Sequence, residues 1–199
     1  MNTILRKSVL GVAGLAFAGG LAAGPLQHAT TTPTAESTTP AAVAVQADKP
    51  GVDKGKLIPH GVQGDQSRIE LDDEQTANVK AIVAATKKAG MDERAAVVSI
   101  GTALQESKLE NLGHLGDRND HDSQGLFQQR PTSGWGTVEQ ITDPEYSTLA
   151  FLKGLKQVDG WQDMPLTEAA QTVQVSAYPD HYAQWEQQAA DLVAEHWNS

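Results

Sequence analysis

The chain has 199 residues and a formal net charge of -10 at pH 7, from 15 basic and 25 acidic side chains. That balance lacks the basic footprint that nucleic acid or an anionic membrane surface requires, which excludes both as principal partners. The absence of cysteine removes disulfides, thiolate metal ligands and a cysteine nucleophile together.

Arg6-Lys7 precedes an apolar, Gly/Ala-rich run from Val9 to Ala23 that ends in the small residues Leu21-Ala22-Ala23-Gly24. A charged start, an apolar middle and a cleavage-like end predict a signal peptide over 1–24, and with it a secreted, extracellular product. The other reading is an uncleaved anchor. The run falls short of the ~20 apolar residues that span a bilayer, so no stable membrane span is expected once the signal is removed. Residues 25–65, with Thr30-Thr31-Thr32-Pro33-Thr34 and Ser37-Thr38-Thr39-Pro40, are biased toward solvated, extended chain and predict a disordered linker. A spacer between export signal and folded domain suits work in a cell wall, and inert secreted linkers share the composition.

The folded domain is expected over 66–199. Asp72 or Asp73 can cap a helix carrying Val79, Ile82, Val83 and Thr86 on one face, with Gly90 as its stop. Asp92 caps a second helix from Glu93 to about Ser107, in which Ala96, Val97, Ile100, Ala103 and Leu104 follow the spacing of a buried stripe. At ~100° per residue, Glu106 falls on the border of that stripe. Partial burial and the negative end of the helix dipole both push its carboxyl toward a raised pKa. A carboxylic acid that keeps its proton near neutral pH suits general-acid cleavage of a glycosidic bond. The competing reading is a surface glutamate near a helix end.

The loop 110–124 holds Asp117, Asn119, Asp120, His121 and Asp122, whose oxygens suggest calcium. The EF-hand pattern fails, because no Gly follows the triplet in place and no Glu closes it. A solvated Asx-rich turn is the alternative, and these aspartates are the nearest candidates for a second carboxylate. Ser133-Gly134-Trp135-Gly136 is a tight turn whose Trp135 either stacks on a sugar or plugs the core. Asp143-Pro144 starts a helix to about Gln157. Thr167 caps another that reaches Ser176-Ala177-Tyr178, Pro179 breaks it, and a last helix from about Asp180 carries Tyr182, Trp185, Leu192 and Trp197. No alternating run predicts a strand, so the domain is expected to be mainly α, with five or six helices. His60, His114, His121, His181 and His196 lack zinc spacing and no glycine-rich phosphate loop follows a strand, so neither metal nor cofactor is expected.

Separated segments of the chain resemble, in order, the catalytic domain of soluble lytic transglycosylases within the lysozyme-like superfamily. Glu106-Ser107 at a helix end resembles that family's Glu-Ser. Gly125-Leu126-Phe127-Gln128-Gln129-Arg130-Pro131 resembles its Gly-Leu-Met-Gln-x-x-Pro, and Asp143-Pro144 with Ala150-Phe151-Leu152 resembles its Asp-Pro helix. Ala177-Tyr178 resembles the Ala-Tyr-Asn segment, although Pro179 stands in place of the asparagine. Ser147 likewise replaces an Asn of the Asp-Pro helix, and the Asn-Pro that often follows Glu-Ser is missing. With Gly-Trp-Gly at 134–136, the set looks closest to secreted actinobacterial transglycosylase-like domains.

The resemblance implies a lysozyme-like helical domain with a central cleft, and a role for Glu106 as catalytic acid and base. It also implies that Gln128, Tyr178, Ser123, Phe127 and Trp135 bind substrate. The substrate would be peptidoglycan glycan strands, cleaved at the MurNAc-GlcNAc β-1,4 bond by a cell-wall-associated monomer without cofactor. Two further readings stay open: a lysozyme-type hydrolase in which Asp117, Asp120 or Asp122 positions water, and a glycan-binding domain of the same fold with little turnover.

Overall fold

The structure, a computed structural model, describes residues 52–175 and 179–199. Among the described residues it is mainly helical, with seven α-helices and no strand: α1 (Lys54–Leu57), α2 (Asp73–Lys88), α3 (Glu93–Ser107), α4 (Val138–Ile141), α5 (Pro144–Leu155), α6 (Leu166–Gln174) and α7 (Glu186–His196). The count exceeds five or six because α1 and α4 are single turns, too short for periodicity to reveal. The signal peptide expected over 1–24 and the linker up to residue 51 lie outside the described residues. Among those described, no helix is long and apolar enough to cross a membrane.

Helix α3 is the centre of the domain and packs against α1, α2, α5, α6 and α7. Rather than one apolar stripe, it is buried on every side from Arg94 to Leu104. Its small residues make that possible: a Cβ on Gly101 would lie 2.8 Å from a methyl of Leu166 at the start of α6. The buried hydroxyls of Ser99 and Thr102 donate to the carbonyls of Ala95 and Val98 at 2.9 and 2.7 Å, so neither needs water.

Local signals set the helix starts. Asp72 and Gln75 form a reciprocal capping box on α2, Asp92 accepts from the Ala95 amide on α3, and Asp143 accepts from the Tyr146 amide at 2.7 Å behind Pro144 on α5. Three boundaries depart from expectation, the first being the end of α6, which stops at Gln174 behind a left-handed Val175 (φ 52°) instead of running on as expected. Thr167 does not cap α6, which begins one residue earlier at Leu166, where the side chain is buried against Gly101. Pro179–Trp185 is a 3-10 turn, so the last α-helix starts only at Glu186.

Residues 52–65, expected as the end of the linker, join the packing. Leu57 is fully buried in the core, and Arg94 donates to its carbonyl at 2.7 Å. The same guanidinium reaches Glu186 of α7 at 2.8 Å and the Met164 carbonyl at 2.8 Å. One apolar side chain and one carbonyl thus draw a polar segment onto the domain. Its composition carries no sign of it.

Candidate active site

The end of α3 turns sharply. Lys108 and Leu109 both take left-handed conformations, and the Leu109 amide closes back on the Ala103 carbonyl at 3.2 Å. The Lys108 ammonium donates to the Leu104 carbonyl at 3.0 Å and stands 4.7 Å from the centre of the Trp185 ring. Just before this turn, the Ser107 hydroxyl donates to the Leu126 carbonyl at 2.8 Å. That bond fastens the 124–129 segment to the helix carrying Glu106.

The segment is a tight hairpin in which Gln124 and Gln129 exchange backbone hydrogen bonds, both at 3.0 Å. Gly125 is obligatory: its φ is 76°, and a Cβ there would meet the Ile141 carbonyl oxygen at 2.0 Å. Phe127, expected among the substrate-binding residues, is instead fully buried and stacked on Phe151 with ring centres 5.0 Å apart. The four-residue turn sends Leu126 and Phe127 into the core, so the apolar gain of burying an aromatic ring decides its direction. Gln128 adopts φ 46° and comes out on the other side.

A cleft of about 710 Å³ results, in which Glu106, Ser123, Gln128 and Trp135 all take part, with Gln174 and Val175 from the end of α6. Tyr178, the remaining expected contact, lies outside the described residues. Glu106 is half-buried. Tyr182 donates its phenolic hydrogen to Oε1 of Glu106 at 2.5 Å, and the Gln174 side chain also bonds the carboxyl. Gln174 in addition donates to the Phe127 carbonyl at 2.7 Å, which ties α6 to the hairpin.

Burial dominates the electrostatics and pushes the Glu106 pKa above its ordinary value of 4.5. The bonds from Tyr182 and Gln174 and the charge of Lys108 oppose the rise, while Asp120 adds a little to it. Lys108 is shifted the other way: desolvation lowers its pKa, opposed by the attraction of Glu106. The three candidate second carboxylates separate clearly. Asp122 accepts from Arg130 Nε and from both the amide and hydroxyl of Thr132, all at 2.9 Å, and these bonds hold its carboxyl far below the usual range. Neither Asp122 nor Asp117 lines the cleft. Asp120 does, from a rim position where its side chain is 86% exposed.

Sequence reasoning missed Tyr182 and Gln174. Tyr182, which the sequence places only as a residue of the last helix, is fully buried in the turn before it. The available signal was its hydroxyl, since a buried tyrosine finds a polar partner. Gln174 offered no signal at all. Behind Tyr182, Gln105 accepts from Gln184 at 3.1 Å and from the Trp185 indole at 2.9 Å, which holds the 179–185 turn against α3. Among the described residues, no group of three or more His, Asp and Glu side chains is placed to hold a metal. No protein-family model matches the chain, and no curated protein matches it.

Proposed function

We propose that the protein is a secreted peptidoglycan lytic transglycosylase of lysozyme-like fold, cleaving the MurNAc-GlcNAc β-1,4 bond with Glu106 alone as acid and base. The observation that carries this reading is the half-sheltered Glu106 carboxyl in a cleft, its pKa raised by burial while Tyr182 and Gln174 fix its orientation. Protonated Glu106 donates to the glycosidic oxygen, and the C1–O4 bond breaks to release GlcNAc bearing a free 4-hydroxyl. Charge develops at C1 of the muramyl unit. The Glu106 carboxylate then takes the proton of the muramyl 6-hydroxyl, and O6 bonds to C1 to give a 1,6-anhydro end. The proton given in the first half returns in the second, and no water is consumed. One sheltered carboxyl suffices, which agrees with the engagement of Asp122 by Arg130 and Thr132.

A hydrolase is the second reading, favoured by the single fact that Asp120 lines the same cleft. There Asp120 would direct water at C1. Product analysis decides between them. Purified protein is incubated with peptidoglycan, and soluble muropeptides are compared for wild type and Glu106→Gln. Anhydro ends from wild type alone support the lyase; reducing ends move the assignment to the hydrolase. Pelleting with sacculi but no product from either form leaves a glycan-binding domain.

A further inference from the structure

Arg130 lines the cleft that holds Glu106, and among the described lining residues it is the only lysine or arginine. Its setting is unusual for an exposed cation in so acidic a chain. Nε donates to Oδ1 of Asp122 at 2.9 Å, and Asp122 is itself pinned by the Thr132 amide and hydroxyl. The guanidinium plane is therefore held from one edge. Its two terminal nitrogens make no hydrogen bond to a described residue, and the side chain is 36% exposed. A guanidinium fixed through Nε presents the remaining N–H groups as a planar fork, and that fork matches a carboxylate in bidentate fashion.

The other charges in the cleft leave room for an anion. Glu106 keeps its proton longer than an ordinary glutamate, so it repels an incoming carboxylate less. Asp120 stands on the rim in solvent beside His121, at 3.7 Å from its Nε2, where water and salt screen it. Hydroxyl and N-acetyl groups of a glycan do not require a cation. The acidic element of a muramyl polymer is the lactyl arm on O3 of each muramyl unit. It ends in a carboxylate when free of peptide, and when substituted it carries a peptide with carboxylates of its own.

We propose that Arg130 is a specificity-determining residue whose free guanidinium edge receives a carboxylate borne on the lactyl arm of the muramyl unit. The proposal rests on the reading of this cleft as a glycan site. It makes the cleft discriminate between an acidic muramyl strand and a neutral polymer of N-acetylglucosamine.

The test is calorimetric titration of the full chain carrying Glu106→Gln, which binds without consuming the ligand, with and without Arg130→Gln. Three soluble glycans of equal length are used: a chito-oligosaccharide, a muramyl oligosaccharide stripped of peptide by an amidase, and the same strand with its peptides. The parent is expected to bind at least one muramyl strand roughly tenfold tighter than the neutral one, the scale of a charge-assisted pair. Arg130→Gln is expected to abolish the difference, and Arg130→Lys to restore only part of it, because it keeps the charge but loses the fork. Which muramyl strand shows the gain identifies the carboxylate as lactyl or peptide-borne. Equal affinity for acidic and neutral strands in the parent overturns the proposal, as does an Arg130→Gln loss shared equally by all three. Binding of none of them would remove the glycan site itself, whereas binding without acid preference removes only the role of Arg130.

Discussion

Tyr182 and Glu106, 76 positions apart, meet in a hydrogen bond of 2.5 Å that joins the 3-10 turn before α7 to the last turn of α3. The bond favours the charged carboxylate and so moderates the rise that burial imposes. Tyr182→Phe keeps the ring and removes the donor. The Glu106 pKa then rises further, and since the reaction starts from the protonated acid, the alkaline limb of the kcat/KM profile moves to higher pH. Turnover at the optimum is expected to fall about tenfold, in line with the loss of one charge-assisted bond. Muropeptide release measured across pH checks both; an unmoved limb refutes the coupling.

Glu106→Gln is expected to lower turnover by ~10²- to 10⁴-fold and to change how stability depends on pH. A raised folded-state pKa means that, above the unfolded value of 4.5, the native state binds more protons than the unfolded state. The resulting stabilisation is fully present below the unfolded pKa and is lost as pH rises through the folded one. Glu186, also raised by burial, contributes a slope of the same sign in both proteins. Thermal melts from acid to neutral pH should therefore show a steeper loss of stability in wild type than in Glu106→Gln.

Two glycines give a matched pair. Ala at Gly125 must adopt left-handed φ and place Cβ 2.0 Å from the Ile141 carbonyl, so Gly125→Ala should destabilise by more than ~2 kcal/mol and abolish product together. Gly134 has φ 84° but open space around it. Gly134→Ala should lose only ~1 kcal/mol, the left-handed penalty. Denaturant midpoints of the two variants measure the difference.

Val175 is a β-branched residue at φ 52° with 80% of its surface exposed, on the wall of the cleft. Both features are unfavourable for folding. Val175→Asn, which tolerates the left-handed region, should raise stability by ~0.5–1 kcal/mol and weaken glycan binding through loss of the apolar contact. Chemical denaturation and a binding titration on the same variant test the trade; lower stability would refute the strain.

Much of the helical frame was legible because its signals are local. Asp72, Asp92 and Asp143 each cap a helix through a bond three residues away, and Gly90 ends α2 with its left-handed φ of 66°. The partial burial expected of Glu106 from the helical period is observed, although α3 is buried on every side up to Leu104 rather than along one stripe with a border. The hairpin was less transparent. Its glycine was readable, but whether Phe127 or Gln128 faced the cleft depended on Phe151 and Ser107, neither of which is close in sequence.

By itself, the sequence determined which stretches coil into helices and where a lone glutamate sits on one of them, because capping and periodicity act over three or four residues. Tertiary structure alone decided that Tyr182 and Gln174 meet that glutamate, that Phe127 turns inward, and that Leu57 draws its polar segment onto the core. Burial and pairing of this kind depend on surfaces brought together from 24 to 76 positions away, as with Phe127 to Phe151 and Tyr182 to Glu106. No local pattern encodes them.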